Sequence, residues 1–112
     1  MKKNKKVFII LPVKDEIGSI EKCINNLISI KKKLPRYLIK IVVINDGSTD
    51  GSEKKIPKHN DILLINYINN RGLGYAVRSG LMVARKFNAD FFVKMDADLQ
   101  HDYLDIISLL KT

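Results

Sequence analysis

The sequence has little of what disulfide-linked or membrane-spanning proteins need. It contains one cysteine, three prolines and no tryptophan. Because a disulfide needs two cysteines, none can form within the chain, which is typical of a reducing compartment. No apolar run approaches the roughly 20 residues of a membrane helix. The basic residues at the start and the apolar residues 7–13 that follow them resemble a signal peptide. The apolar segment is too short for one, and no cleavage pattern follows it. We therefore expect a cytoplasmic protein.

Acidic residues are also scarce relative to basic ones. Twelve Asp and Glu stand against 20 Lys and Arg, a formal net charge of +8. Such an excess suits a polyanionic or membrane-surface partner, but it equally suits a solvated surface, so charge alone does not decide the partner. A nucleic-acid module should place aromatic residues among its lysines, whereas the four tyrosines and four phenylalanines lie mostly in apolar segments. We therefore expect no nucleic-acid partner.

Short apolar segments rich in β-branched residues alternate with longer segments of helical periodicity. The predicted strands are residues 7–13, 40–45, 62–68 and 90–95. The predicted helices are residues 17–33, a short one after residue 52, and residues 74–87. Nearly continuous apolar strands are typical of parallel sheets that are covered on both faces. The sequence therefore predicts an α/β fold with an open, mostly parallel sheet of about four strands and helices on both faces, in one domain over residues 1–112.

Polar segments follow three of the four predicted strands. Residues 12–16 follow the first strand, residues 45–50 the second and residues 96–98 the fourth. The carboxyl ends of parallel strands meet at one edge of a sheet, where α/β proteins bind ligands. Unpaired carboxylates that share such a crevice repel one another unless a cation or ligand lies between them. The pattern therefore predicts a ligand site at this edge.

Four motifs occur in order along the chain. They are residues 9–16 (IILPVKDE), 43–50 (VINDGSTD), 69–76 (NNRGLGYA) and 95–101 (MDADLQH). In this order and spacing the chain resembles the family 2 glycosyltransferases, and within them the enzymes that use polyprenyl-phosphate acceptors, such as the dolichol-phosphate mannose synthases. The resemblance implies the nucleotide-sugar-binding half of a GT-A fold.

The resemblance also implies roles for the carboxylates that follow the fourth strand. Asp98 would bind Mn²⁺ or Mg²⁺, and Asp96 would contact the ribose and phosphate of the donor. These hard cations prefer carboxylate oxygen, and they neutralise a departing diphosphate. Asp98 is also a suitable N-cap for a helix that follows it, and this structural alternative stays open.

The other motifs would surround the donor nucleotide. By the resemblance, Asp46 contacts the nucleobase. The first loop also flanks the nucleobase, through Pro12, Asp15 and Glu16. Asp46 is equally a good turn residue, and Glu16 a good first-turn helix residue. The chain departs from the family pattern at Lys14, where an aromatic residue is common.

The loop before the third predicted helix would handle the diphosphate. Arg71 and the backbone at Gly72 suit an anion there, because helix N-termini carry free amides and partial positive charge. A solvated arginine beside a glycine turn is the alternative interpretation of this segment.

The reaction implied by the resemblance is inverting transfer of a sugar from a UDP- or GDP-linked donor. The acceptor would be a polyprenyl phosphate or a glycan. A lipid phosphate acceptor would place the reaction at the membrane surface. Acceptor-handling residues of the family follow the carboxylate motif, so no catalytic base is assigned and we expect the chain to be truncated at its C-terminal end. An exposed sheet edge would then favour self-association. The alternatives are a nucleotidyltransferase, which should carry a glycine- and arginine-rich loop after the first strand, and a basic module that binds nucleic acid or phospholipid.

Overall fold

The computed structural model describes residues 5–97, which form four strands, two α-helices and a 3₁₀ helix. In chain order the elements are β1 (Lys5–Val13), α1 (Ile20–Lys31), β2 (Tyr37–Asp46), the 3₁₀ helix Ser52–Lys55, β3 (Ile62–Tyr67), α2 (Leu73–Lys86) and β4 (Phe91–Lys94). Each predicted strand and helix is present, and the segment after residue 52 forms a single 3₁₀ turn. The α/β prediction is confirmed. The predicted carboxylate Asp98 lies outside the described residues.

The four strands form one parallel sheet in the order β3-β2-β1-β4. The register places Val13 beside Asn45, and Val7 beside Phe91. From β1 the chain builds outward through β2 to β3, and then returns to add β4 on the other side of β1. This reversal leaves a crevice at the carboxyl ends of β1 and β4, which is where open parallel sheets bind ligands.

Alternate residues of β1 face two separate cores, because successive side chains of a strand point to opposite faces. On one face, Val7, Ile9 and Leu11 pack with the apolar side of α1. On the other face, Phe8 and Ile10 pack with α2. The two α-helices therefore cover opposite faces of the sheet, as the sequence predicts.

The outer strands are less covered than the continuous apolar pattern predicts. In β4, Phe91 and Phe92 are 47% and 60% exposed, whereas the β1 residues from Val7 to Leu11 are almost fully buried. The reason is topological, because α1 and α2 lie over the central strands. Burial on both faces thus holds for most of β1 and β2, whereas β3 has only intermediate and exposed residues.

Helix α1 begins three residues later than predicted, and this excludes Ile17 from its buried stripe. The side chain of Ile17 is 42% exposed. The amides of Glu16 and Ile17 donate to Ser52 Oγ at 2.9 Å and Asp50 Oδ2 at 3.0 Å, so distant side chains hold this segment as a loop. The buried stripe consists of Ile20, Cys23, Ile24, Leu27 and Ile30.

Helix α2 ends in a Schellman motif. Asn88 has φ +57°, and its amide donates to the Arg85 carbonyl oxygen at 3.1 Å. The amide of Ala89 donates to the Ala84 carbonyl oxygen at 2.9 Å. These two bonds satisfy carbonyls that a helix end leaves unpaired, and they direct the chain into β4.

Part of the lysine surplus is used in an ion cluster at the amino-terminal edge of the sheet. The Asp61 carboxylate accepts from Lys40 Nζ at 2.7 Å and also contacts Lys31 Nζ. Desolvation and the neighbouring Lys40 charge lower the pKa of Lys31. This cluster joins the end of α1 to the starts of β2 and β3, on the edge opposite the predicted ligand site.

We expect Gly80→Ala to destabilise the fold by about 1–3 kcal/mol, because overpacking a filled core forces side chains from their rotamers. A Cβ at Gly80 would lie 2.4 Å from Cγ2 of Ile10, a stiff β-branched side chain in the middle of β1. The matched control is Gly74→Ala in the same helix, where a Cβ meets nothing within 4 Å. It should be neutral, or stabilising by up to about 1 kcal/mol. Urea unfolding followed by circular dichroism measures both, and equal stability of the two variants would contradict this packing.

Candidate donor-binding site

A cavity of about 310 Å³ opens at the carboxyl ends of β1, β2 and β4. It brings together five of the residues that the sequence predicts for the site, namely Pro12, Glu16, Asp46, Gly72 and Asp96. Two other predicted residues, Asp15 and Arg71, do not line it. The cavity coincides with the strand-order reversal, so the ligand site predicted from the polar strand ends has a physical counterpart.

Asp46 ends β2 and is 4% exposed. Its Oδ1 accepts from the Arg71 amide at 2.7 Å and its Oδ2 from the Gly72 amide at 2.9 Å. A buried carboxylate needs such partners, because an unpaired one would lose its hydration without compensation. The Gly72 amide, which the sequence predicted to be free for an anion, is therefore already engaged. Each carboxylate oxygen keeps a further lone pair for a ligand in the cavity.

Gly47 lets the loop before α2 approach β2 closely. A Cβ at this position would lie 2.5 Å from the Asn70 nitrogen and 2.8 Å from the Asn69 carbonyl carbon. The φ of Gly47 is also +71°, a conformation that favours glycine. Glycine is thus required here for two reasons, and it makes the Asp46 hydrogen bonds geometrically accessible.

The loop after β1 is tied to the loop after β2. The Thr49 amide donates to Asp15 Oδ1 at 2.7 Å, and the Asp15 amide donates to Ser48 Oγ at 2.9 Å. Asp15 itself adopts φ +53°, which aspartate tolerates better than most residues. The side chain of Asp15 therefore faces the neighbouring loop, and its contribution to the cavity is to hold the two loops together.

The Arg71 side chain lies beside the cavity, against two aromatic rings. Its guanidinium carbon is 5.5 Å from the centroid of Tyr67 and 5.1 Å from that of Tyr75. Both distances are within the range of cation–π attraction. The Tyr67 hydroxyl also contacts Ser79 Oγ, which fixes that ring on α2. The aromatic pair thus accounts for the position of Arg71 outside the cavity lining.

The charged side chains that line the cavity within residues 5–97 are three carboxylates and one ammonium group. The carboxylates belong to Glu16, Asp46 and Asp96, and the ammonium group belongs to Lys14. Asp96 is two-fifths exposed, and its Oδ1 lies 2.9 Å from Lys94 Nζ. An excess of carboxylate oxygen matches the preference of Mg²⁺ and Mn²⁺. However, no group of three or more His, Cys, Asp or Glu in the described part of the chain is arranged to hold a metal ion.

Sequence reasoning missed both of the other polar side chains that line the cavity, Lys14 and Asn70. Lys14 departs from the family pattern, which the sequence shows. Its hydrogen bond to the Gly47 carbonyl oxygen cannot be predicted from local sequence. Asn70 Oδ1 accepts from the Gly72 amide at 2.9 Å and so shares with Asp46 the task of ordering this loop. The signal for Asn70 is its place two residues before a glycine, which is typical of an Asx turn.

The sequence matches the model of Glycosyl transferase family 2 over residues 8–112. The chain belongs to this family. Family 2 membership confirms the resemblance seen in the four motifs. It favours a glycosyltransferase over the nucleotidyltransferase and the basic binding module that the sequence left as alternatives.

Curated relatives of this family 2 chain come from archaea and bacteria. An uncharacterized protein of Methanocaldococcus jannaschii is 31% identical over 105 residues, which cover 94% of this chain and 40% of that protein. The UDP-N-acetylglucosamine–dolichyl-phosphate N-acetylglucosaminyltransferase of Methanococcus voltae is 27% identical over 124 residues, covering 96% and 47%. A poly-β-1,6-N-acetyl-D-glucosamine synthase of Staphylococcus aureus is 28% identical over 95 residues, covering 82% and 21%. The chain thus spans less than half the length of these relatives.

Neither α-helix of the described region is long and apolar enough to cross a membrane. Helix α1 has 12 residues and α2 has 14.

We expect Asp46→Asn to lower the free energy of unfolding by about 1–3 kcal/mol, since an amide group would face one of the two backbone N–H donors with its own N–H. The control is Asp90→Asn, the same change at an exposed carboxylate. Asp90 Oδ2 accepts a hydrogen bond from one backbone amide, that of Lys6, at 2.8 Å. Its loss should be smaller. Urea unfolding of both variants tests this, and an unchanged midpoint for Asp46→Asn would mean that the two amides do not hold the carboxylate.

Acid should weaken the contact between the two loops. The Thr49 amide lowers the pKa of Asp15, and the Ser52 hydroxyl lowers that of Asp50, both from an ordinary value of 3.8. Because these carboxylates are more acidic when folded, their contribution to stability is present above pH 3.8 and is lost as the pH falls through the lower folded values. Urea unfolding of the wild type between about pH 6 and pH 3 should show a steeper decline than that of the Asp15→Asn/Asp50→Asn double variant. Parallel curves would contradict the assignment.

Proposed function

We propose that this family 2 chain is the donor-binding part of an inverting glycosyltransferase. The donor is a UDP- or GDP-linked sugar, used with Mn²⁺ or Mg²⁺. The observation that carries the proposal is the cavity at the strand-order reversal, which collects Glu16, Asp46 and Asp96 from three different loops. In this proposal Asp46 accepts a hydrogen bond from a ring N–H of the nucleobase, because an ionised carboxylate is an acceptor only.

The described part of the chain supports binding and orientation of the donor. The base would lie between the loops after β1 and β2, near Pro12 and Asp46, and the ribose and diphosphate would extend toward Asp96 at the end of β4. Asp98 is the residue that would hold the divalent metal, and Asp96 would contact the ribose and phosphate. When bound, the metal would neutralise charge that develops on the diphosphate as the glycosidic bond breaks.

Inverting transfer requires an acceptor oxygen to attack the anomeric carbon from the face opposite the departing nucleoside diphosphate. A polyprenyl phosphate is the acceptor that we favour, and a glycan is the alternative. The dolichyl-phosphate transferase of M. voltae supports the first, and the poly-N-acetylglucosamine synthase of S. aureus supports the second. An ionised lipid phosphate reduces the need for a general base. The formal charge of +8 also suits work at an anionic membrane surface on the cytoplasmic side.

Calorimetric titration with UDP and GDP, with and without Mn²⁺, tests the proposal on the 112-residue chain. We expect one nucleotide to bind more tightly with the metal, and we expect Asp98→Asn to abolish that metal-dependent part. Asp90→Asn is the matched control, because Asp90 is an exposed aspartate at the amino-terminal edge of the sheet. A folded chain that binds neither nucleotide would refute the donor-site proposal, and equal metal dependence in Asp98→Asn would refute the metal assignment.

A further inference from the structure

Within residues 5–97, Lys14 is the one basic residue that lines the cavity. The acidic residues that line it are Glu16, Asp46 and Asp96. It also occupies a position at which the family commonly has an aromatic residue. At this position the chain has an ammonium group in place of an aromatic ring. The surroundings of Lys14 indicate what this group can bind.

Two neighbours fix the Lys14 ammonium group on the β2 side of the cavity. Its Nζ donates to the Gly47 carbonyl oxygen at 2.7 Å and lies 3.4 Å from Asp15 Oδ2. Asp96 follows β4, which lies on the other side of β1. Lys14 is thus on the same side as Asp46, at the end of the cavity that the proposed function assigns to the nucleobase.

The ammonium group retains a proton for a ligand. It has three donor protons, and Gly47 and Asp15 together use at most two of them. Its side chain is 40% exposed, so the group is accessible to a molecule in the cavity. An N–H donor on the same side of the cavity as the acceptor Asp46 matches a ligand edge on which a carbonyl oxygen adjoins a ring N–H. Uracil and guanine both have such an edge, and adenine does not.

We propose that Lys14 determines nucleobase specificity by donating a hydrogen bond from Nζ to a carbonyl oxygen of uracil or guanine, next to the ring N–H that Asp46 accepts. This inference rests on the proposed function. A site with a donor and an acceptor at fixed positions discriminates strongly against a ligand that leaves both unpaired. Lys14 therefore favours UDP- or GDP-linked donors over ADP-linked ones.

A purely structural role for Lys14 is the alternative, because its bond to Gly47 also ties the loop after β1 to the loop after β2. The two roles differ in one measurable way. Loss of a tether loosens the whole cavity and weakens every nucleotide alike. Loss of a base contact weakens the nucleotides with a carbonyl edge and leaves ADP unaffected.

The test is calorimetric titration of UDP, GDP and ADP, each with Mn²⁺, on the wild type, Lys14→Met and Lys22→Met. Methionine keeps the aliphatic stem and removes the charge, and Lys22 is an exposed residue of α1 that serves as the control. We expect Lys14→Met to bind UDP and GDP about tenfold more weakly, the effect of one charge-assisted hydrogen bond, and to bind ADP within about twofold of the wild type. Lys22→Met should match the wild type with all three nucleotides. Circular dichroism confirms that both variants are folded.

Two results would overturn the Lys14 proposal while leaving the proposed function intact. One is an equal loss of affinity for all three nucleotides in Lys14→Met, which would make Lys14 a tether. The other is unchanged affinity for UDP and GDP. If the wild type binds no nucleotide at all, the proposed function fails and the Lys14 proposal fails with it.

Discussion

Two backbone amides donate to the buried carboxylate of Asp46, and the shape of the cavity depends on that pair of hydrogen bonds. They fasten the loop before α2 to the end of β2, at a distance that Gly47 makes accessible. A buried charge without hydrogen-bond partners is unfavourable, so moving the loop away from Asp46 would raise the free energy of the folded state. The N-terminal turn of α2, which includes the cavity residues Gly72 and Leu73, is positioned by the same contact.

Local sequence was sufficient to predict the strands and their common direction. Continuous runs of β-branched residues mark β1 and β2, which are buried on both faces. The start of α1 was not predictable from periodicity, because it is set by Asp50 and Ser52, about 35 positions along the chain. The exposure of β4 was not predictable either, since Phe91 and Phe92 have the same apolar character as residues of the central strands. Strand order, and with it coverage, is a property of the whole chain.

The candidate site was predictable to the extent that strand ends define it. Glu16, Asp46 and Asp96 lie at or just after the ends of three strands and do line one cavity. The orientation of individual side chains depended on neighbours that no motif contains. Tyr67 and Tyr75 attract the Arg71 guanidinium, and the Gly47 carbonyl attracts Lys14. The sequence thus identifies which loops meet, and the contacts between the loops decide which side chains face the ligand.

The strand order also dictates when each half of the sheet can be completed during synthesis. β1, β2 and β3 pair within the first 67 residues, so three of the four strands can associate before β4 is made. The other edge of β1 pairs with β4, whose residues lie 84 positions further along. Contacts so distant in sequence form slowly, because the loop between them must first be closed. On a ribosome, therefore, the most buried strand of the protein has an open edge until its last partner emerges, and the half of the cavity that contains Asp96 is assembled last.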